Sequence, residues 1–187
     1  MTTTLPPPRL YNPKTDTHHL PTLAQIHADC ITHDNQLATF LPPLDAAKMH
    51  SYWRDISGEV ERDVTAIILQ LAPAKPDEEE GEVAGYVCLM MPPSETGPFR
   101  GMVNKLMVSP RFRRLGIARR VMGMLEEVAR ERRRELLILD TTIGSGADLV
   151  YPRLGYKAFG VLPKYGISPK DGSLVDERFY YKDLRDE

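Results

Sequence analysis

Val108-Ser109-Pro110-Arg111-Phe112-Arg113-Arg114-Leu115-Gly116-Ile117-Ala118 joins two segments of opposite periodicity. Upstream, Met102–Val108 is rich in β-formers and reads as a strand. Downstream, from Leu115 to Arg130, the apolar residues Ala118, Val121, Met122, Leu125, Val128 and Ala129 recur at helical spacing, with Arg119, Arg120, Glu126 and Glu127 turned outward. The stretch is therefore a glycine-bearing loop that opens a long amphipathic helix. A helix start leaves backbone N–H groups without intrahelical partners and carries a partial positive charge, so it attracts anions. Gly116 lets the backbone approach a pyrophosphate, and Ala118 keeps side-chain bulk off the same surface. Arg111, Arg113 and Arg114 add charge-assisted donors. Two other readings stand beside this one. The stretch could be a basic helix start with a structural glycine, or a dinucleotide fingerprint, which needs glycines at three set positions where only Gly116 is present.

Working outward, Leu136-Leu137-Ile138-Leu139 is an apolar run suited to a central strand covered on both faces. Val64–Leu71 and Glu82–Met91 bracket the acidic stretch Pro76–Glu82 and read as an antiparallel hairpin with a solvated loop. Earlier still, Leu20, Leu23, Ile26 and Cys30 mark one helix, with Pro21 in its first turn. Asp45 caps a second, whose inner side carries Ala46, Met49, Trp53, Ile56 and Val60 while His50, Arg54 and Glu59 face away. A short strand is expected near Arg9–Tyr11. Beyond the central strand come a short helix near Ala147–Leu154, a strand near Tyr156–Val161 and a last strand near Arg178–Lys182. The order is that of one mixed α/β domain over residues 1–187, built on a central sheet.

The bulk numbers narrow the function. With 24 basic against 26 acidic side chains, the net charge of −2 gives no excess to hold nucleic acid or an anionic membrane. The basic run Arg130–Arg134 reads as a solvated helix end, where positive side chains are favoured. Cys30 and Cys88 are far apart with no metal-ligand spacing, which argues against disulfides and a metal site and fits a reducing cytoplasm. The start MTTTLPPPRL lacks the apolar core of a signal peptide, and no run of about 18 apolar residues suits a membrane span. The 16 prolines fall between periodic segments, as turn punctuation.

Arg113-x-x-Gly116-x-Ala118, between a strand and a long helix, resembles the acetyl-CoA signature of the GNAT superfamily of N-acetyltransferases. Val108 and Pro110 precede it at the family's place. The segment from Ala147 through Tyr151 to Gly155 and Tyr156 is similar to a later family stretch. Lys105-Leu106-Met107-Val108, Leu139-Asp140-Thr141, Gly160-Val161-Leu162-Pro163 and Asp171-Gly172 look most like the subgroup typified by tabtoxin resistance protein. The likeness runs from about Val103 to Leu184; the N-terminal half matches only in its pattern of elements. It implies an α+β fold with a mixed, mostly antiparallel sheet of about seven strands flanked by about four helices.

It also implies acetyl-CoA as cofactor. Arg113, Arg114, Leu115, Gly116, Ile117 and Ala118 would hold its phosphates, and the backbone of Leu106, Met107 and Val108 would pair with its pantetheine arm. Ser145 would touch that arm, although a helix N-cap explains this serine equally well. Tyr151 takes the family's general-acid position, its alternative being a packed aromatic. Asp140 is the carboxylate of the acceptor pocket, or else a cap for the turn after its strand. The subgroup's second carboxylate position holds Met102 here. Of the five histidines, His33 beside Asp34 could line the pocket but reads better as a solvated helix-end residue. The expected acceptor is a primary amine on a small amino-acid-like or xenobiotic molecule, and the protein itself is expected to be a monomer or homodimer. A protein or peptide N-acetyltransferase and a non-catalytic acyl-CoA-binding module are the alternatives.

Overall fold

A computed structural model of the chain describes residues 5–186; residues 1–4 and 187, at the ends of the expected domain, lie outside the described residues. The elements run β1 (Arg9–Leu10), α1 (Leu20–Asp34), α2 (Ala46–Glu61), β2 (Thr65–Leu71), β3 (Val83–Met90), β4 (Arg100–Val108), α3 (Ile117–Glu131), β5 (Leu136–Thr142), β6 (Lys157–Ile167) and β7 (Leu174–Asp183). The seven strands form one sheet in the order β1-β2-β3-β4-β5-β7-β6, antiparallel except where β4 meets β5. In place of the expected fourth helix, two short 3₁₀ turns span Ala147–Leu149 and Tyr151–Leu154. Pro152 has no N–H to give a longer helix, and Gly155 ends the segment at φ 85°.

The sheet separates two cores. On one face, Val121, Met122, Leu125, Val128 and Ala129 of α3 bury against Ile68, Val87, Leu89, Val103, Leu137 and Leu139. On the other, Leu23, Ile26, Cys30 and Ile31 of α1 and Met49 and Trp53 of α2 cover Ile67, Leu69, Tyr86, Cys88 and Met107. Alternation along β2 sends Ile68 one way and Ile67 and Leu69 the other, as strand geometry requires. Gly85 sets how closely α3 approaches. A Cβ there would lie 2.8 Å from the Ile117 side chain and 2.9 Å from the Met107 carbonyl, so only glycine lets the first turn of α3 sit on the β3–β4 pair.

Several details differ from the sequence reading. The Asp45 cap is present, its carboxylate accepting from Lys48 N–H at 3.1 Å, but Ala46 is exposed and Ser57 takes a buried place on α2, hydrogen-bonded to Tyr11. Arg120 turns inward instead of out, donating to Gln70 and the Pro6 carbonyl at 2.8 and 2.7 Å. The basic run is built into the structure: Arg132 pairs with Asp63, and Arg134 donates to the carbonyls of Pro92, Pro98 and Arg100, fastening the loop before β4. Carbonyls left open by an irregular loop need donors, and an arginine fork supplies several at once. The acidic loop is exposed but tethered, Glu80 pairing with Arg9 and His19 and Glu82 with Arg111. No helix among the described residues is long and apolar enough to cross a membrane.

Candidate active site

The parallel pairing of β4 with β5 lasts only from Arg100↔Leu136 to Met102↔Ile138. Beyond it the strands separate, and the edge of β4 from 103 to 108 has no strand partner among the described residues. Two side chains of α1 and its following loop reach this edge: Gln36 donates to the Leu106 carbonyl at 3.4 Å, and the Cys30 thiol lies 3.8 Å from the Val108 carbonyl. A bulge interrupts the β3–β4 register between Tyr86 and Cys88, and within it Lys105 adopts φ 53°.

At one end of this cleft lies the start of α3. Gly116 has φ 76°, and the space where its Cβ would stand is open for at least 4 Å. The N–H groups of Ile117, Ala118 and Arg119 have no intrahelical acceptor, since the first helical bond runs from Arg120 N–H to the Gly116 carbonyl. Arg114 and Leu115 are exposed beside them; Arg113 forms an exposed ion pair with Asp34, an interaction easily exchanged for a stronger anion. Free donors, an open glycine and mobile cations fit a phosphate group.

At the other end, the antiparallel register of β5 and β7 sets Asp140 opposite Phe179 and Thr142 opposite Glu177, placing Asp140 and Glu177 diagonally on one face. Glu177 is 2% exposed and accepts from the Thr142 hydroxyl at 2.7 Å. Burial, with the Asp140 charge beside it, pushes its carboxyl up to about 7. Asp140 is open to solvent, yet the crowded cleft raises its carboxyl too, against the pull of its hydrogen bond with Glu177 and of Lys105. The two act as a pair sharing one proton. Across the cleft the Lys105 ammonium stands 5.9 Å from the Tyr52 ring centre, its pKa lowered by burial.

Tyr151 is buried among Tyr156 and Tyr180, each 5.8 Å away by ring centres. Its hydroxyl makes no hydrogen bond with a described residue, and burial plus the nearby charges of Asp140 and Glu177 raise its pKa, keeping the phenol protonated. The turn that carries it is pinned by Asp148, which accepts from Arg178 at 2.9 Å, Tyr180 at 2.7 Å and Gly144 N–H at 3.1 Å. Ser145 belongs to the same turn; its hydroxyl lies 3.2 Å from Thr141 and 3.3 Å from Asp148 N–H, as a cap.

A cavity of about 280 Å³ lies between residues 37–41 after α1 and Tyr165–Ile167 of β6. Tyr165 connects it to the cleft, packing edge-on to Phe179 at 5.4 Å and feeling the charges of Asp140 and Glu177. The residues the sequence reading did not single out are Glu177, Asp148, Tyr165 and His27. His27 had a signal, since it continues the apolar face of α1 from Leu23; it is buried, held neutral with a pKa of about 4 by burial, and bonded to the Ala38 carbonyl at 2.8 Å. His33 is exposed, as expected. Away from the cleft, ring nitrogens of His18 and His19 and an oxygen of Glu80 lie within 4.8 Å of one another, but Arg9 reaches Glu80 at 3.0 Å and His19 at 3.4 Å and occupies their common space.

Residues 35–156 match the profile of the Acetyltransferase (GNAT) family. The chain belongs to this family. Solved structures share its fold. Ribosomal-protein-alanine N-acetyltransferase from Brucella melitensis is 22% identical with a TM-score of 0.70, over 95% of this chain and 99% of that one. The yncA protein of Salmonella typhimurium, solved with its cofactor acetyl-CoA, is 15% identical with a TM-score of 0.70, over 97% and 94%. A candidate phosphinothricin N-acetyltransferase is 14% identical with a TM-score of 0.75, over 97% and 99%. The protein is thus an acetyl-CoA-dependent GNAT acetyltransferase, with a donor set at the start of α3 that fits the phosphates of that cofactor.

Proposed function

We propose that this acetyltransferase acts on the primary amine of a small amino-acid-like molecule, as its likeness to the tabtoxin resistance subgroup suggests. The observation that carries the reading is the Asp140–Glu177 pair, whose charges reach Tyr165 on the wall of a cavity of about 280 Å³, a volume near the lower end of small-molecule sites. Acetyl-CoA, when bound, supplies an activated acetyl thioester. Arg113, Arg114 and the backbone of Leu115, Gly116, Ile117 and Ala118 hold its phosphates. The free edge of β4 at Leu106, Met107 and Val108 receives the pantetheine arm as an added strand would be received, and N–H groups near Val108 polarise the carbonyl. Ser145 flanks the arm from the turn after β5.

Asp140 and Glu177 draw in the acceptor ammonium and take its proton; the Glu177 carboxyl, pushed up to about 7, suits the second task. Tyr151, protonated at all working pH, gives a proton to the departing sulfur. The test is thiol release over a panel of amino acids, polyamines and amine toxins alongside N-terminal peptides. Turnover on small amines is expected. Replacing Tyr151 by Phe should lower kcat by roughly 10²-fold or more while acetyl-CoA affinity holds. Acetylation of peptides with silence on the amine panel would make the protein a peptide N-acetyltransferase, and cofactor binding without any turnover would make it a non-catalytic module.

A further inference from the structure

Lys105 is the least expected residue of the cleft. Its backbone sits in the left-handed region at φ 53°, a conformation that strains a non-glycine residue. Its side chain is half-buried, passing the face of Tyr52 on the α2 side of the sheet. Among the described residues no carboxylate lies within ion-pair distance of its Nζ; Asp140 acts on it only from farther across the cleft. A half-buried ammonium without a close anion keeps its donors free for an anion that enters the cleft. Lys105 on β4 and Asp140 on β5 flank the gap that opens where these strands part after Met102 and Ile138, and Glu177 stands diagonal to Asp140.

We infer that Lys105 is the docking cation for an acidic group on the acceptor itself, so that the preferred acceptors are zwitterions whose ammonium meets Asp140 and Glu177 and whose carboxylate meets Lys105. Opposite charges on the two walls of the cleft then orient the amine as well as attract it, and the bulge that strains Lys105 is what aims it there. This rests on the small-amine reading above. It also goes further, because amines lacking an acid become poor acceptors.

The experiment compares three matched series in thiol-release kinetics: free amino acids, the same compounds as carboxamides, and the decarboxylated amines, with L-leucine, L-leucinamide and isoamylamine as one set. For the native enzyme kcat/KM should favour the acids by roughly 10-fold to 100-fold, the scale of one charge-assisted contact. Lys105→Met keeps the stem against Tyr52 and removes the charge; it should erase that preference mainly through KM, leaving acetyl-CoA affinity unchanged, and Lys105→Arg should restore part of it. Should the methionine variant fail to fold, the native preference and the arginine variant still decide the matter. Equal kcat/KM for acids and amides in the native enzyme overturns the assignment while leaving the small-amine reading intact. So does an equal loss on all three series in Lys105→Met, which would make Lys105 a counter-charge for the carboxyl pair. Silence of all three series beside active peptides removes both.

Discussion

Gly116→Glu separates fold from cofactor binding. The glycine lies at φ 76°, where an L-residue costs about 1–2 kcal/mol, and no atom stands within 4 Å of the added Cβ, so no clash joins that strain. In a domain of 187 residues each kcal/mol moves the melting point by about 2–4 °C, which predicts a fall of roughly 2–8 °C in a protein that remains folded. The glutamate would stand over the free N–H groups of Ile117, Ala118 and Arg119 and present a negative charge where phosphate is to dock. Loss of two charge-assisted hydrogen bonds at about 1.5–3 kcal/mol each corresponds to roughly 10²- to 10⁴-fold in acetyl-CoA affinity. Gly116→Ala carries the same backbone strain with little bulk, so it should reproduce the thermal shift and keep most of the affinity. Calorimetric titration with acetyl-CoA and a thermal melt read both quantities. An affinity within about threefold of the native value in a folded Gly116→Glu protein would refute the placement of the phosphates at this loop.

Gly123, exposed within α3 and with open space around it, should accept alanine with a gain of about 0.5–1 kcal/mol in denaturant unfolding; a loss would mean that α3 is not the regular helix described. Asp148→Ala strips partners from Arg178, Tyr180 and Gly144, and should cost about 2–4 kcal/mol in urea unfolding and depress kcat by loosening the turn under Tyr151; a cost below 1 kcal/mol would show that the turn holds without it. Glu177 has a folded pKa of about 7 against an ordinary 4.5, so the native state keeps a proton that the unfolded chain gives up. Its contribution is complete below about pH 4.5 and lost as pH rises through about 7. Glu177→Gln should therefore exceed the native protein in stability by about 1–3 kcal/mol at pH 8 and lose that advantage below pH 5, as melts across pH would show; a pH-independent difference would mean the pair shares no proton.

Much of the fold was legible because the periodic segments are strong. The helical spacing of Val121, Met122, Leu125 and Val128, the apolar β5 and the hairpin around the acidic loop all recur in the structure. The last two strands were underestimated. Pro163 reads as turn punctuation, and the expected strands near Tyr156–Val161 and Arg178–Lys182 stop short of the observed Lys157–Ile167 and Leu174–Asp183. In the structure Gly160, Pro163 and Gly166 lie at two register irregularities of an edge strand, between Ala158 and Gly160 and between Leu162 and Gly166, where neither proline nor glycine interrupts a central ladder. Ser57, a polar residue of the second core, was hidden for the opposite reason: periodicity counts apolar side chains, and its partner Tyr11 stands 46 residues away.

The site divides along the same line. Its proposed cofactor end, from Leu106 to Ala118, is one continuous segment in which strand, loop and helix start are fixed by local sequence, which is why the motif could be read directly. Its acceptor end exists only through pairing. Glu177 lies in Asp176-Glu177-Arg178, which reads as solvated charge until the register of β7 on β5 sets it diagonal to Asp140 and buries it to 2% exposure. The family profile matches residues 35–156, so Glu177 and Tyr165, on β7 and β6, lie outside the matched stretch. Met102, where the subgroup resemblance would put a second carboxylate, is 44% exposed on β4, and the second carboxylate stands instead on β7, beside the first. A carboxyl pair formed across β5 and β7 can change with the hairpin that carries it, leaving the loop around Gly116 untouched. On the proposed reading, acceptor choice varies with this hairpin while the cofactor loop stays the same.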